Sequence, residues 1–290
     1  MSNLTYHAPD SVEQAVAILS RDAAARVLSG GTDLIVQMRS GRLDPSAVVD
    51  LKRIPELSGV RGLADGGFAI GAATPCTALK DHVALTAAWP GVVEAANLIG
   101  SVQVRNRATM AGNLCNASPA ADSVPALVAA GATCIVAGPH GPREVPVEVI
   151  PTAPGKTSLA RGEFVSEFRL PPRPAHGGDA YLRSIPRTEM DIAVVGAGVS
   201  LVLGADGTCT AARIALGAVG PTVVLAPEAA AVLTGSRFED AALDRMAEAV
   251  RAACKPIDDK RGTASYRTAM AAVLVRRTVA IARQRAGGTV

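Results

Sequence analysis

The chain contains no C-x-x-C pair, and no histidine stands at zinc-ligand spacing from Cys76, Cys115, Cys134, Cys209 or Cys254. A metal or iron–sulfur site built from this chain alone is therefore not expected. His7, His82, His140 and His176 are the only histidines, and none falls in an H-E-x-x-H or similar array. The longest apolar run, Ile192 to Leu203, is broken by small and polar residues and falls well short of the roughly 20 residues that span a bilayer. Membrane insertion is not expected. An excess of one charge is missing too: 29 basic and 26 acidic residues are interspersed to a net +3, which argues against a nucleic-acid surface. The opening MSNLTYHAPDSVEQ lacks the basic-then-apolar order of a secretory leader, so a cytoplasmic protein is expected.

Apolar residues make up 49% of the 290 positions, enough for two compact units. The opening reads as a strand Leu4–Ala8, a helix from Asp10-Ser11 with Val12, Ala15, Val16 and Leu19 on one face, and strands at Arg26–Leu28 and Ala47–Leu51. This predicts a small βαβ-like lobe. From Pro55 the pattern gives a strand near Phe68–Gly71, helices near Thr77–Val83, Val92–Leu98 and Ser123–Ala129, and strands at Thr133–Val136 and Glu144–Val149. Pro171-Pro172-Arg173-Pro174-Ala175-His176-Gly177-Gly178 breaks both periodicities and marks a linker. Strands near Ala180–Ile185, Ile192–Leu203 and Thr210–Ala218 follow, with Gly204–Gly207 as a hairpin turn. Helices Ala226–Leu233, Ala241–Ala253 and Ala264–Arg285 complete an antiparallel sheet backed by helices. The arginines of the last helix suggest a contact surface for other chains.

Three glycine-bearing stretches compete as phosphate loops. Val194-Val195-Gly196-Ala197-Gly198-Val199-Ser200-Leu201 has two glycines of a dinucleotide fingerprint but Leu201 where the third belongs, and reads as a strand with close packing. Ser29-Gly30-Gly31-Thr32-Asp33 follows a strand and precedes the helical Leu34-Ile35-Val36, so its backbone N–H groups and the Thr32 hydroxyl suit a pyrophosphate; an ordinary strand–helix turn is the competing reading. The stretch Arg105 to Ser123 is rich in small and amide side chains that fill no core, and a polar ligand would account for it. There Ala111-Gly112 permits close backbone approach, Thr109 and Asn113 supply hydrogen bonds, and Asp122 offers a carboxylate to ribityl or ribose hydroxyls.

Ser29-Gly30-Gly31-Thr32-Asp33-Leu34 and Ala108 through Asp122 together resemble the two FAD loops of the xanthine dehydrogenase and carbon monoxide dehydrogenase family. Tyr181-Leu182-Arg183-Ser184-Ile185-Pro186-Arg187-Thr188-Glu189-Met190-Asp191-Ile192-Ala193 resembles that family's turn into its C-terminal flavoprotein domain, and Asp258 through Arg267 the start of its last helix. The resemblance covers essentially the whole chain, in order. It implies an α+β protein: a vanillyl-alcohol-oxidase-like (PCMH-type) FAD-binding domain over residues 1–175, in lobes of about 1–54 and 55–175. A C-terminal antiparallel sheet with helices, like the CO dehydrogenase flavoprotein C-terminal domain, fills 176–290. The stretch Val27, Leu28, Ser29, Gly30, Gly31, Thr32, Asp33 and Leu34 would hold the pyrophosphate with Thr109, Ala111, Gly112 and Asn113, while Asn116 and Asp122 would hold polar parts of the cofactor. Ile99, Gln103 and Val104 match positions near the flavin, Val165 a backbone contact and Arg183 a basic position near the ring. Some relatives carry an aromatic residue at the place of Ile99, and Tyr181 would shield the ring instead. The cysteine-rich insertion of the branch that reduces benzoyl-thioesters is missing, which disfavours that branch.

The resemblance further implies an oxidoreductase subunit with non-covalent FAD and no catalytic residue of its own. It would carry electrons between a small [2Fe–2S] subunit, a large molybdopterin-binding subunit and an external acceptor, in a dimer of heterotrimers. A self-contained flavin oxidase is the enzymatic rival and a nucleotide-binding assembly module the non-enzymatic one. The segment after the linker, poor in aromatics, is short for an oxidase's substrate domain.

Overall fold

The computed structural model describes residues 4–288. Its first lobe runs β1 (Thr5–His7), α1 (Val12–Arg21), β2 (Arg26–Leu28), α2 (Leu34–Arg39) and β3 (Ala47–Asp50). β3 lies between β1 and β2 and is parallel to both, with Thr5 opposite Ala47 and Leu28 opposite Asp50. Parallel strands need crossovers, which α1 and α2 provide. α1 begins where the Ser11 hydroxyl accepts the Gln14 N–H, and it buries Ala15 and Leu19 in a core with Val49, Leu51 and Phe164. The turns after β2 and β3 therefore emerge side by side at the strands' carboxyl ends, the usual ligand-bearing edge of a parallel sheet.

The second lobe contains β4 (Val60–Gly62), β5 (Phe68–Gly71), α3 (Cys76–Lys80), α4 (Val83–Ala88), α5 (Pro90–Asn97), α6 (Val102–Arg105), α7 (Met110–Cys115) and α8 (Ser123–Ala129). It closes with β6 (Thr133–Ala137), β7 (Arg143–Pro146), β8 (Pro151–Ala153), β9 (Lys156–Thr157) and β10 (Phe164–Leu170). An antiparallel five-stranded sheet has the order β4-β5-β10-β6-β7. Its central strand, β10, is not predicted from the sequence, because Ser166, Glu167 and Arg169 interrupt its apolar residues. In the fold, Glu167 is buried but paired with Arg61 and Arg169, which removes the objection to burying it. The stretch read as irregular between the helices carries α6 and α7, and the expected strand to Val149 ends at Pro146 in a 3-10 turn.

The third unit is an antiparallel sheet of β11 (Gly177–Ser184), β12 (Val195–Leu203), β13 (Cys209–Gly217) and β14 (Val224–Leu225), backed by α9 (Pro227–Leu233), α10 (Asp240–Ala253) and α11 (Ala264–Arg285). Gly196 and Gly198 lie within β12, and a Cβ on Gly198 would stand 2.4 Å from the Pro125 carbonyl oxygen of α8. Close packing of β12 on the second lobe, not phosphate binding, is what these glycines allow. Three of the α11 arginines are engaged within the chain. Arg267 is buried and donates to the carbonyls of Val194 and Ala218, Arg276 pairs with Asp244, and Arg285 pairs with Glu94 across the domain junction.

Arg173 and buried Asp179, 3.2 Å apart, sit at the same junction, and the Arg173 guanidinium stacks 4.4 Å over Trp89. Among the described residues, no helix is long and apolar enough to cross a membrane, and no three His, Cys, Asp or Glu side chains are grouped to hold a metal.

Candidate functional site

A cleft of about 640 Å³ opens at the carboxyl ends of β2 and β3, between the first two lobes, a size suited to a cofactor. One wall is Val27, Ser29, Gly30, Gly31, Thr32, Asp33 and Leu34; facing it are Thr109, Ala111, Gly112, Asn113 and Asn116, with Ile99 and Val165 completing the floor and side.

The two loops touch. A Cβ on Gly30 would lie 2.2 Å from the Arg107 carbonyl oxygen, so only glycine permits the approach. Gly31 has a φ of +82°, the left-handed region that glycine enters without strain. The Ser29 hydroxyl donates to the Ala72 carbonyl at 2.7 Å, which commits its single proton, so the Thr109 hydroxyl is the donor in their 2.8 Å contact. Thr109 Oγ1 in turn accepts the Gly112 N–H at 3.0 Å. The Thr109 side chain, expected to reach the ligand, instead fastens the loops to each other.

What remains for a ligand is a set of donors. Among the described residues, the N–H groups of Gly30, Gly31, Thr32 and Asp33 meet no protein acceptor. Asn113 Oδ1 accepts from the Ser123 N–H and hydroxyl, and Asn116 Oδ1 accepts from Gln37 Nε2 at 2.8 Å. Both carboxamides are thereby oriented with their NH2 groups unspent. Backbone and amide donors converging from two walls form an anion cradle. The charged side chains of the rim are already engaged: Asp22 accepts from Ser46, Glu163 pairs with Arg143, and Arg26 and Arg161 donate to backbone carbonyls. Asp33 has its carboxyl raised above the ordinary range by the desolvating cleft walls.

Six of the expected residues lie outside the lining of this cleft: Leu28, Gln103, Val104, Asp122, Tyr181 and Arg183. The Leu28 side chain packs beneath Gly31, and Gln103 and Val104 sit on α6, Gln103 exposed. Asp122 is buried, and its two oxygens accept from the Tyr181 hydroxyl at 2.9 Å and Arg183 Nη1 at 2.7 Å, tying the cap of α8 to β11. Burial outweighs the Arg183 charge and pushes the Asp122 carboxyl up to about 6.

The sequence reading missed Gln37, Cys115 and the wall from Gly155 to Phe164. Gly155 and Gly162, whose turns carry positive φ at either end of this wall, were the available signal in the sequence.

The geometry defines a two-lobed protein built to hold an extended ligand by its anionic centre. Residues 2–173 match the FAD binding domain in molybdopterin dehydrogenase, and residues 180–282 match the CO dehydrogenase flavoprotein C-terminal domain. The chain is similar to the carbon monoxide dehydrogenase medium chain of Hydrogenophaga pseudoflava, 36% identical over 277 residues that cover 94% of this chain and 95% of that one. It is 29% identical to the xanthine dehydrogenase FAD-binding subunit of Escherichia coli O157:H7, over 98% of this chain and 97% of that one. A solved structure of the Hydrogenophaga pseudoflava carbon monoxide dehydrogenase, in a form that lacks the Mo-pyranopterin moiety of its cofactor, superposes with a TM-score of 0.93 at 36% identity, covering 98% of each chain. Quinoline 2-oxidoreductase from Pseudomonas putida 86 does so with a TM-score of 0.89 at 29% identity, again over 98% of each. This chain belongs to the family of FAD-binding subunits of molybdenum hydroxylases, the carbon monoxide dehydrogenase and xanthine dehydrogenase flavoproteins, and FAD is its cofactor. The cradle fits that cofactor: its uncharged donors suit a pyrophosphate, and the N–H groups of the loop lining the cleft meet no acceptor among the described residues.

Proposed function

We propose that the chain is the electron-transferring subunit of a molybdenum hydroxylase, with the organic substrate oxidised on another subunit. The observation that carries the reading is the row of unpaired N–H groups at Gly30, Gly31, Thr32 and Asp33, set against the oriented amides of Asn113 and Asn116. A pyrophosphate is the ligand such a row suits. In this reading Val27 and Leu34 flank it, Ala111 and Gly112 admit backbone contact, and Ile99 and Val165 line the approach to the flavin.

FAD bound there supplies the redox junction, able to take electrons singly and release them in pairs. The protein's own task is to orient the cofactor and exclude water. Asp122, Tyr181 and Arg183 are assigned a supporting part, fixing β11 against α8, with Gln103 and Val104 on the neighbouring helix. The attachment is non-covalent. The FAD-binding domain ends and the flavoprotein C-terminal domain begins at about residues 175–176.

The partners are a small [2Fe–2S] subunit and a large molybdopterin-binding subunit, in a dimer of heterotrimers located in the cytoplasm. The similar proteins support this, being named as medium chains and FAD-binding subunits. Affinity purification from the native cell tests it. The expected preparation contains two further chains, iron, molybdenum and acid-released FAD; a lone polypeptide without metals counts against the assembly.

A further inference from the structure

Cofactor clefts that hold a pyrophosphate commonly place a cation near it, yet here the two basic residues of the rim, Arg26 and Arg161, are spent on backbone carbonyls. A positive charge in contact with the loop stands behind it. Lys52 follows β3, and its ammonium donates to the Ser29 carbonyl at 3.1 Å while pairing with Asp50 Oδ1 at 2.6 Å. Asp50 is itself fixed: its Oδ1 accepts the Lys52 backbone N–H at 3.0 Å, and its Oδ2 accepts the Tyr6 hydroxyl at 2.7 Å. The brace therefore spans the carboxyl ends of all three strands of the parallel sheet.

We infer that Lys52 is a positioning residue for the FAD pyrophosphate, acting through the Ser29–Gly30 peptide. In a trans peptide the C=O and N–H groups point in opposite directions. Drawing the Ser29 carbonyl back toward Lys52 turns the Gly30 N–H away from the lysine, toward the side where Ser29 and Gly30 line the cleft. The ammonium also polarises that peptide, strengthening the N–H as a donor to an anion. The Ser29 side chain cannot set the plane alone, because its hydroxyl is held by Ala72 and Thr109 on the other side of the residue. Asp50 serves as the anchor. Burial alone would raise its carboxyl, but the bonds from Lys52 and Tyr6 hold it below the ordinary range, so it is charged when it holds the ammonium.

This inference rests on the pyrophosphate assignment above, and the experiment separates the two. The full chain is stripped of flavin, and affinities for FAD and for ADP, which carries the diphosphate without the flavin, are measured beside the thermal midpoint of the apo-protein. Lys52→Met is expected to weaken both ligands about tenfold, the loss of one charge-assisted bond, with some drop in the apo midpoint as well, because buried Asp50 loses its ammonium partner. Lys52→Arg, which keeps the charge and donors, should restore most of the affinity, and Lys52→Gln, which keeps a donor without charge, should fall between. Unchanged FAD and ADP affinity in Lys52→Met overturns the inference while leaving the pyrophosphate site in place. So does a loss that Lys52→Arg shares in full and that tracks a drop in the apo midpoint, since that marks a role in stability only. Failure of ADP to compete with FAD in the wild-type protein overturns both.

Discussion

The hydroxyl of Thr109 lies 2.8 Å from that of Ser29, joining two turns that are 80 residues apart in the chain. Because Ser29 gives its proton to Ala72, the contact has one direction, and Thr109 also caps α7 by accepting from Gly112. Thr109→Val keeps the shape and removes the hydroxyl. The variant should lose about 1–3 kcal/mol of stability, the usual cost of stranding a buried polar partner, and should bind FAD more weakly because the loops are no longer fastened. Urea unfolding and equilibrium dialysis check both expectations. Wild-type values in each would show that the link is incidental.

Gly30→Ala tests the approach of the loops from the other side. A methyl group placed 2.2 Å from the Arg107 carbonyl must push one backbone away. Gly112→Val places its bulk on the cleft side, where the nearest atom to a new Cβ is Thr109 Oγ1 at 3.2 Å. Both variants should lose FAD affinity by tenfold or more, on the order of 1.4 kcal/mol. Gly30→Ala should in addition lower the melting point of the apo-protein, and Gly112→Val should lower it less. Equal destabilisation of the two apo-proteins would contradict this account of the contact.

Cys115 is the one nucleophile of its type on the described lining, and burial pushes its thiol up to about 12. A thiol so far from ionisation is a poor attacking group at neutral pH. FAD should therefore leave with the supernatant when the protein is denatured in acid. Yellow colour that stays with the precipitated polypeptide would show a covalent link.

Asp122 predicts a pH effect. Its carboxyl is raised from 3.8 to about 6 chiefly by burial, so the folded chain holds this proton more tightly than the unfolded chain does. The stability it contributes is complete below about pH 4 and is lost as pH rises through about 6. Asp122→Asn cannot titrate, and the variant should gain on the wild type across that window in thermal midpoint. A difference between the two that stays flat from pH 4 to 7 would show that Arg183 holds the carboxylate ionised throughout.

Much of this was legible in the sequence where one residue type answers one physical demand. Gly30-Gly31 after the short strand Arg26–Leu28 signalled a backbone turn toward a ligand, and the missing third glycine at Leu201 separated β12 from a phosphate loop. The last helix, Ala264–Arg285, matched residue for residue. The central strand β10 stayed hidden because the burial of Glu167 depends on Arg61, 106 residues away, as well as on Arg169 beside it on the same face of the strand. The fate of Asp122 was hidden for the same reason: Tyr181 and Arg183 stand 59 and 61 residues away. Local pattern shows which side chains can bind a ligand, whereas the tertiary fold decides which are already engaged.

The central claim, that this chain relays electrons and oxidises no organic substrate itself, is tested most directly by anaerobic spectroscopy of the purified FAD-loaded chain. Alcohols, amines and heterocycles are added in turn, followed by a chemical reductant, while the flavin absorbance is recorded. The account predicts an unchanged spectrum with every organic compound and full bleaching with the reductant. Bleaching by an alcohol, amine or heterocycle in the absence of any other subunit would contradict it.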